Sequence, residues 1–124
     1  MQGKTILIVD DDTVFSDILS EILREKGANV VIEHDGASGL ERAKSLAPDI
    51  VVVDVMMPRM SGVEMLERFR ATDVGKCVPV LLLTNMNEAD TMAKRTEGDP
   101  TEVLLKTDWT LDQIAERVVA TLAA

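Results

Sequence analysis

The chain has 124 residues, of which 46% are hydrophobic and 28% charged, enough for one domain with a single sizeable core. Its formal net charge of −9 argues against the basic footprint of a nucleic-acid binder and offers no basic stripe to anionic lipid. The charge suits a partner with a basic face or a cation site, although solubility accounts for most of the carboxylates.

Cys77 is the single cysteine, so no internal disulfide can form and a reducing compartment is the default. It lacks metal-ligand spacing and precedes an apolar run, and so reads as a small hydrophobe. Met1-Gln2-Gly3-Lys4 leads directly into a short apolar run ending in acids. That is neither a signal peptide nor a transmembrane span, and a cytoplasmic protein without membrane insertion is expected.

Thr5 to Val9 reads as a continuous apolar strand closed by Asp10-Asp11-Asp12. Val14, Phe15, Ile18, Leu19, Ile22 and Leu23 then recur at helical spacing, and Gly27 is the expected stop. Asn29 to Glu33 is a short strand. Gly36 opens a helix that carries Leu40, Ala43 and Leu46 inward, and Pro48 ends it. Ile50 to Val53, all four of them β-branched, reads as a strand buried on both faces, where polar alternation is not required. Asp54 stands where this strand runs out, and Pro58 bars an immediate helix behind it. Gly62 to Arg70 is a helix with Val63, Leu66 and Phe69 or Arg70 one turn apart, Phe69 being the apolar choice.

Val78 to Leu83 is the fourth strand, with Pro79 near its beginning, and it ends at Thr84-Asn85. A helix over roughly Glu88 to Thr96 has only Ala89, Met92 and Ala93 to bury, so weak docking is expected. Val103 to Leu105 is the fifth strand and ends at Lys106. Thr110-x-x-Gln113 is a capping box followed by Leu111, Ile114, Val118 and Leu122 on one helical face. Strand and helix thus alternate along the whole chain. That pattern predicts an α/β fold, a five-stranded parallel sheet with right-handed crossovers and helices on both faces. The flavodoxin-like doubly wound strand order 2-1-3-4-5 makes the first and third strands neighbours.

Parallel strands point one way, so Asp10, Asp11, Asp54, Thr84 and Lys106 collect at one sheet edge, where open α/β sheets bind their ligands. Taken singly, Asp54 could merely cap a turn, Lys106 could be a surface lysine and Thr84 a turn residue. Their placement at successive strand ends favours a shared site. Three close carboxylates repel unless a cation is present, and Mg2+ with oxygen ligands meets that need. A lysine ammonium suits a phosphoryl group and a threonine hydroxyl adds a donor. Together these parts describe phosphoryl transfer onto a carboxylate. Asp12, next to Thr13, reads as the N-cap of the first helix. His34 reads as a solvated loop residue, and Trp109, the only tryptophan, as an anchor for the last helix.

Val9-Asp10-Asp11, the string Asp54 to Gly62 (DVMMPRMSG), LLLT ending at Thr84 and LLK ending at Lys106 resemble the response-regulator receiver domain of two-component signalling across essentially the whole chain. The resemblance implies a single receiver domain over residues 1–124 with no output domain. It implies Asp54 as phospho-acceptor, and Mg2+ on Asp11, Asp54 and the Met56 backbone carbonyl with Asp10 supporting through water. Thr84 would bond the phosphoryl group and Lys106 would pair with it. It further implies a histidine kinase, histidine phosphotransfer protein or small phosphodonor as donor, a downstream protein partner, and the option of a phosphorylation-dependent dimer. Such a domain is not an enzyme beyond assisting its own phosphorylation and dephosphorylation.

Three residues depart from the family pattern. Thr107 follows Lys106 where proline, with a cis peptide, is usual. Asn85 follows Thr84 where a small residue is usual. Val103 occupies the place of the aromatic switch residue three before the lysine, and without a ring to rotate, output is expected to use a different movement. Met56 and Met86, two after the acceptor and two after the threonine, border the path of a hydrolytic water in this family. Neither orients water strongly, which predicts a long-lived phosphoryl group. Two other readings compete: a receiver-like module that signals by contact without phosphorylation, and a haloacid-dehalogenase-like phosphatase with Asp10 as nucleophile and Asp12 as general acid. A nucleotide binder ranks below both, because no glycine-rich phosphate loop follows the first strand.

Overall fold

A computed structural model describes residues 1–85, 92 and 96–123. Strands β1 (Thr5–Val9), β2 (Asn29–Glu33), β3 (Ile50–Asp54), β4 (Val80–Thr84) and β5 (Thr101–Leu105) form one sheet in the order β2-β1-β3-β4-β5. Every pairing is parallel. Helices α1 (Thr13–Glu25), α2 (Gly36–Leu46), α3 (Gly62–Arg70) and α4 (Leu111–Ala123) are the described helices, with short 3-10 turns at Val74–Lys76 and Lys106–Asp108. The doubly wound architecture and the strand order agree with the sequence reading. The helix expected over roughly Glu88 to Thr96 lies outside the described residues, apart from Met92, which is buried, and Thr96.

The continuous apolar strands follow from burial of both sheet faces. On one face, Ile6, Ile8, Ile50, Val52, Leu81 and Leu83 pack with Leu19 and Leu23 of α1 and with Ile114 and Val118 of α4. On the other, Leu7, Val9, Val51, Val53 and Leu82 meet Leu40 and Ala43 of α2 and Met65, Leu66 and Phe69 of α3. Successive residues of a strand therefore feed different cores, which removes the polar alternation of a half-exposed sheet.

Helix ends match their local chemistry. The Asp12 carboxylate accepts from the Phe15 N–H, the Asp35 carboxylate from the Ser38 N–H, and the Ser61 hydroxyl from the Glu64 N–H, each satisfying a first-turn donor. Thr110 and Gln113 bond reciprocally at 2.9 and 3.1 Å as a capping box. Trp109 is half-buried against the α1–α4 core, in keeping with an anchoring role.

Three local expectations need correction. The apolar stripe of α1 is wider than its buried face: Val14 and Ile18 are 66% and 41% exposed, whereas Ser16 and Ser20 are buried. The helix leans on the sheet through Leu19 and Leu23, and the small serines allow that close approach. Strand β4 begins at Val80, after Pro79, and the preceding turn leaves Cys77 exposed. Strand β5 begins at Thr101, earlier than its apolar residues suggest, because the pairing with β4 starts at Val80↔Thr101. Phe69, the expected apolar choice, is buried, and Arg70 is used differently. It donates to the Gly75, Val78 and Pro100 carbonyls and the Thr101 hydroxyl, tying the end of α3 to the starts of β4 and β5.

Candidate functional site at the carboxyl edge of the sheet

Register brings the strand ends together. Val9 pairs with Val53, and Asp54 pairs with Leu83, so Asp10 and Asp54 end neighbouring strands and Thr84 lies one residue past the partner of Asp54. One carboxylate oxygen from each of Asp10, Asp11 and Asp54 lies within 4.8 Å of the other two. Asp10 is 1% and Asp54 7% exposed, while Asp11 faces solvent.

Lys106 crosses from the end of β5 to bridge the two buried acids. Its Nζ donates to Asp10 Oδ2 at 2.8 Å and to Asp54 Oδ2 at 3.0 Å. The other oxygens are held by backbone: the Asp12 N–H donates to Asp10 Oδ1 at 2.9 Å, and the Met56 N–H to Asp54 Oδ1 at 3.1 Å. These four bonds fix both carboxylates before any ligand arrives. Gly62 makes room for them. Its N–H donates to the Val55 carbonyl at 3.0 Å, and a Cβ there would be driven into the Asp54 carbonyl. That close approach is the physical reason for glycine at the end of the Asp54 to Gly62 string.

The electrostatics mark an excess of negative charge. Burial pushes the Asp10 carboxyl above its ordinary range, and the nearby Asp54 adds to this, although the Lys106 hydrogen bond and the Asp12 N–H oppose it. Burial alone would depress the Lys106 ammonium. The bonds to Asp10 and Asp54 outweigh that and hold it above its ordinary value. One ammonium therefore binds tightly yet leaves Asp10 reluctant to ionise. An all-oxygen cluster of three acids, two of them sharing one lysine, fits Mg2+, a hard cation that takes carboxylate and carbonyl oxygens and retains waters.

The remaining candidates are placed as follows. Thr84 is buried, and its hydroxyl makes a long 3.4 Å contact to the Asn85 carbonyl. Met56 extends into solvent, 57% exposed, so its side chain is not packed across the site, and Met86 lies outside the described residues. Val103 is half-buried against the α2–α3 core. No cis peptide occurs among the described residues, Lys106-Thr107 included. Asp12 is spent as the N-cap of α1.

Two residues join the site that the sequence reading did not place there. His34 is exposed, as a loop residue should be, yet its Nδ1 lies 2.9 Å from the Asp10 backbone carbonyl. A carbonyl can only accept, so Nδ1 carries the proton in this contact. The signal was available in principle: with Val9 paired to Glu33, the next residues of the two strands are adjacent. The second is Phe15, whose ring lies under Lys106 with Nζ 4.2 Å from its centroid.

The family model described as "response regulator receiver domain" matches residues 6–119. The Regulator of RpoS of Escherichia coli is 36% identical over 120 residues, covering 97% of this chain and 35% of that protein. Response regulator MprA of Mycobacterium ulcerans is 40% identical over 93 residues, covering 75% of this chain and 38% of that protein. The chain thus spans well under half the length of these relatives. Among solved structures, the Vibrio cholerae chemotaxis protein CheY4 superposes with a TM-score of 0.82 at 26% identity, covering 96% of this chain and 98% of that one.

Proposed function

Because the chain belongs to the response-regulator receiver family, a phospho-accepting signalling family, we propose that Asp54 is its acceptor and that the surrounding strand-end residues serve the transfer. The observation that carries this reading is the Lys106 ammonium bridging buried Asp10 and Asp54, with Asp11 beside them. An oxygen of Asp54 attacks phosphorus in line. The new P–O bond forms as the donor's bond to phosphorus breaks, and the leaving group keeps the electron pair. Asp10, Asp11, Asp54 and the Met56 carbonyl would hold Mg2+, which supplies charge neutralisation for the incoming phosphoryl group. Lys106 pairs with a phosphoryl oxygen. The Thr84 hydroxyl donates to another after leaving the Asn85 carbonyl.

The donor is a histidine kinase, a histidine phosphotransfer protein or a small phosphodonor, and the product is an altered face for a downstream protein or a second copy. This receiver domain works in the cytoplasm and assists only its own phosphorylation and dephosphorylation. Among the described residues no helix is long and apolar enough to cross a membrane. The family match and the use of Asp12 as a helix cap leave the phosphatase reading without support. The phosphorylation-independent module keeps some footing in Val103, Asn85 and Thr107.

Intact mass after incubation with Mg2+ and acetyl phosphate separates these readings. One phosphoryl group is expected on the wild type and none on Asp54→Asn. An unmodified wild type would favour the contact-only module. Modification that persists in Asp54→Asn would place the acceptor elsewhere.

Metal linkage gives a second expected result. Mg2+ at ten times its dissociation constant should stabilise the fold by about 1.4 kcal/mol, because the unfolded chain lacks the cluster. Asp11→Asn should stabilise the metal-free protein by ~1 kcal/mol through relief of repulsion at an exposed position, while shrinking the Mg2+ response. Chemical denaturation with and without chelator measures both, and a less stable metal-free Asp11→Asn protein would contradict the arrangement.

A further inference from the structure

The aromatic side chains of this chain are two phenylalanines and one tryptophan. Phe69 is buried beneath the sheet and Trp109 lies against the opposite core. The Phe15 ring is placed differently: its face covers the Lys106 ammonium at 4.2 Å, within the range where the ring quadrupole attracts a cation. The ammonium has three N–H donors, and Asp10 and Asp54 each take one. The ring closes a third side.

We propose that Phe15 is a positioning residue for phosphoryl transfer, holding the Lys106 ammonium at Asp54 through its ring face. The role rests on the reading of Asp54 as acceptor. A lysine side chain has four rotatable bonds and is costly to fix in one geometry, so its anchors matter. The carboxylate anchors are compromised in use, because a bound divalent cation shares their negative charge and weakens their hold on the ammonium. The ring is neutral and does not bind the metal, so its attraction persists when the acids are occupied. Its own position is set from two sides. The Phe15 N–H is capped by Asp12 Oδ1 at 3.1 Å, and the side chain packs on the core shared by α1 and α4. The acidic run after β1 thus supplies cluster acids and also fixes the ring that orients the lysine.

The test compares phosphorylation rates with acetyl phosphate and saturating Mg2+ in wild type, Phe15→Leu and Phe15→Tyr, each also in a Lys106→Ala background. Leucine keeps apolar bulk without the ring face, and phosphorylation should slow roughly five-fold, the effect of one cation–π contact at a partly exposed site. Tyrosine should restore the rate to within about two-fold, since it keeps the ring. In the Lys106→Ala background Phe15→Leu should cause no further loss, whereas a purely structural residue would cost the same in both. NMR of the Lys106 Cε protons gives a signature independent of phosphorylation: an upfield ring-current shift in wild type and Phe15→Tyr that disappears in Phe15→Leu. Phosphorylation of Phe15→Leu at the wild-type rate, an equal loss in both backgrounds, or an unshifted Lys106 signal in wild type would each overturn the proposal while leaving the acceptor reading intact. A wild type that takes no phosphoryl group on Asp54 would instead overturn the acceptor reading, and the positioning role with it.

Discussion

Lys106→Ala is expected to destabilise the metal-free protein by about 2 kcal/mol at neutral pH and by much less in acid. Removing one partner of a buried ion pair typically costs several kcal/mol, because the other charge is left uncompensated. The Lys106 side chain is 23% exposed, so solvent screening trims that figure. The pH dependence follows from Asp10. Burial already raises its folded-state pKa above 3.8, and Lys106 opposes the rise, so losing the lysine raises it further. Between 3.8 and that higher value the native state holds a proton that the unfolded chain has released. Stability of the variant therefore falls as pH rises through this window. Below it the acid is neutral in both states and the cost shrinks. Lys106 itself has a raised pKa, so the wild type's advantage persists through neutral pH and is lost as pH rises through the folded-state value of the lysine. Mg2+ should offset most of the cost by replacing the missing positive charge. Urea denaturation at several pH values with chelator measures the effect, and a cost independent of pH would contradict the assigned pairing. On phosphorylation, Lys106→Ala should also show a smaller fluorescence change at Trp109, which follows Lys106 through a single 3-10 turn.

Gly62→Ala should be strongly destabilising, costing about 3 kcal/mol. Its Cβ would meet the Asp54 carbonyl and the Val55 Cα, which are backbone atoms that cannot swing aside. The strain must move either the start of α3 or the end of β3, and the latter carries Asp54. Loss of stability should therefore be accompanied by loss of phosphoryl incorporation in the fraction that remains folded. Gly98→Ala is the control. A Cβ there meets nothing, but the backbone φ is +89°, so the cost is conformational and about 1 kcal/mol. Equal stability losses for the two variants would mean that close packing at Gly62 is not what the glycine serves.

The fold was legible because its determinants are local and repeated. Each strand is a short apolar run, each described helix has a cap visible in sequence, and strict alternation of the two leaves few topologies. The acid cluster was legible for the same reason, since parallel strands deliver their final residues to one edge. What was not legible depends on how elements lean on one another. The α1 stripe offered Val14, Phe15, Ile18, Leu19, Ile22 and Leu23 without distinction, and only the packing angle sends Val14 and Ile18 to solvent and Phe15 to Lys106. His34 needed the register of β1 against β2, which periodicity alone does not supply. The Thr84 hydroxyl was placed on the right strand end, but its present partner, the Asn85 carbonyl, is a rotamer choice that composition cannot encode.

The most direct measurement is the location of the phosphoryl group after reaction with acetyl phosphate and Mg2+. Borohydride cleaves an acyl phosphate reductively and leaves homoserine in place of the aspartate that carried it, and peptide mass spectrometry then reads the position. Homoserine at position 54 alone is the result expected from a buried carboxylate whose oxygens are pre-set by Lys106 and the Met56 N–H. Homoserine at position 10 or 11, or at no position under conditions that phosphorylate a receiver domain of known activity, would contradict Asp54 as the acceptor.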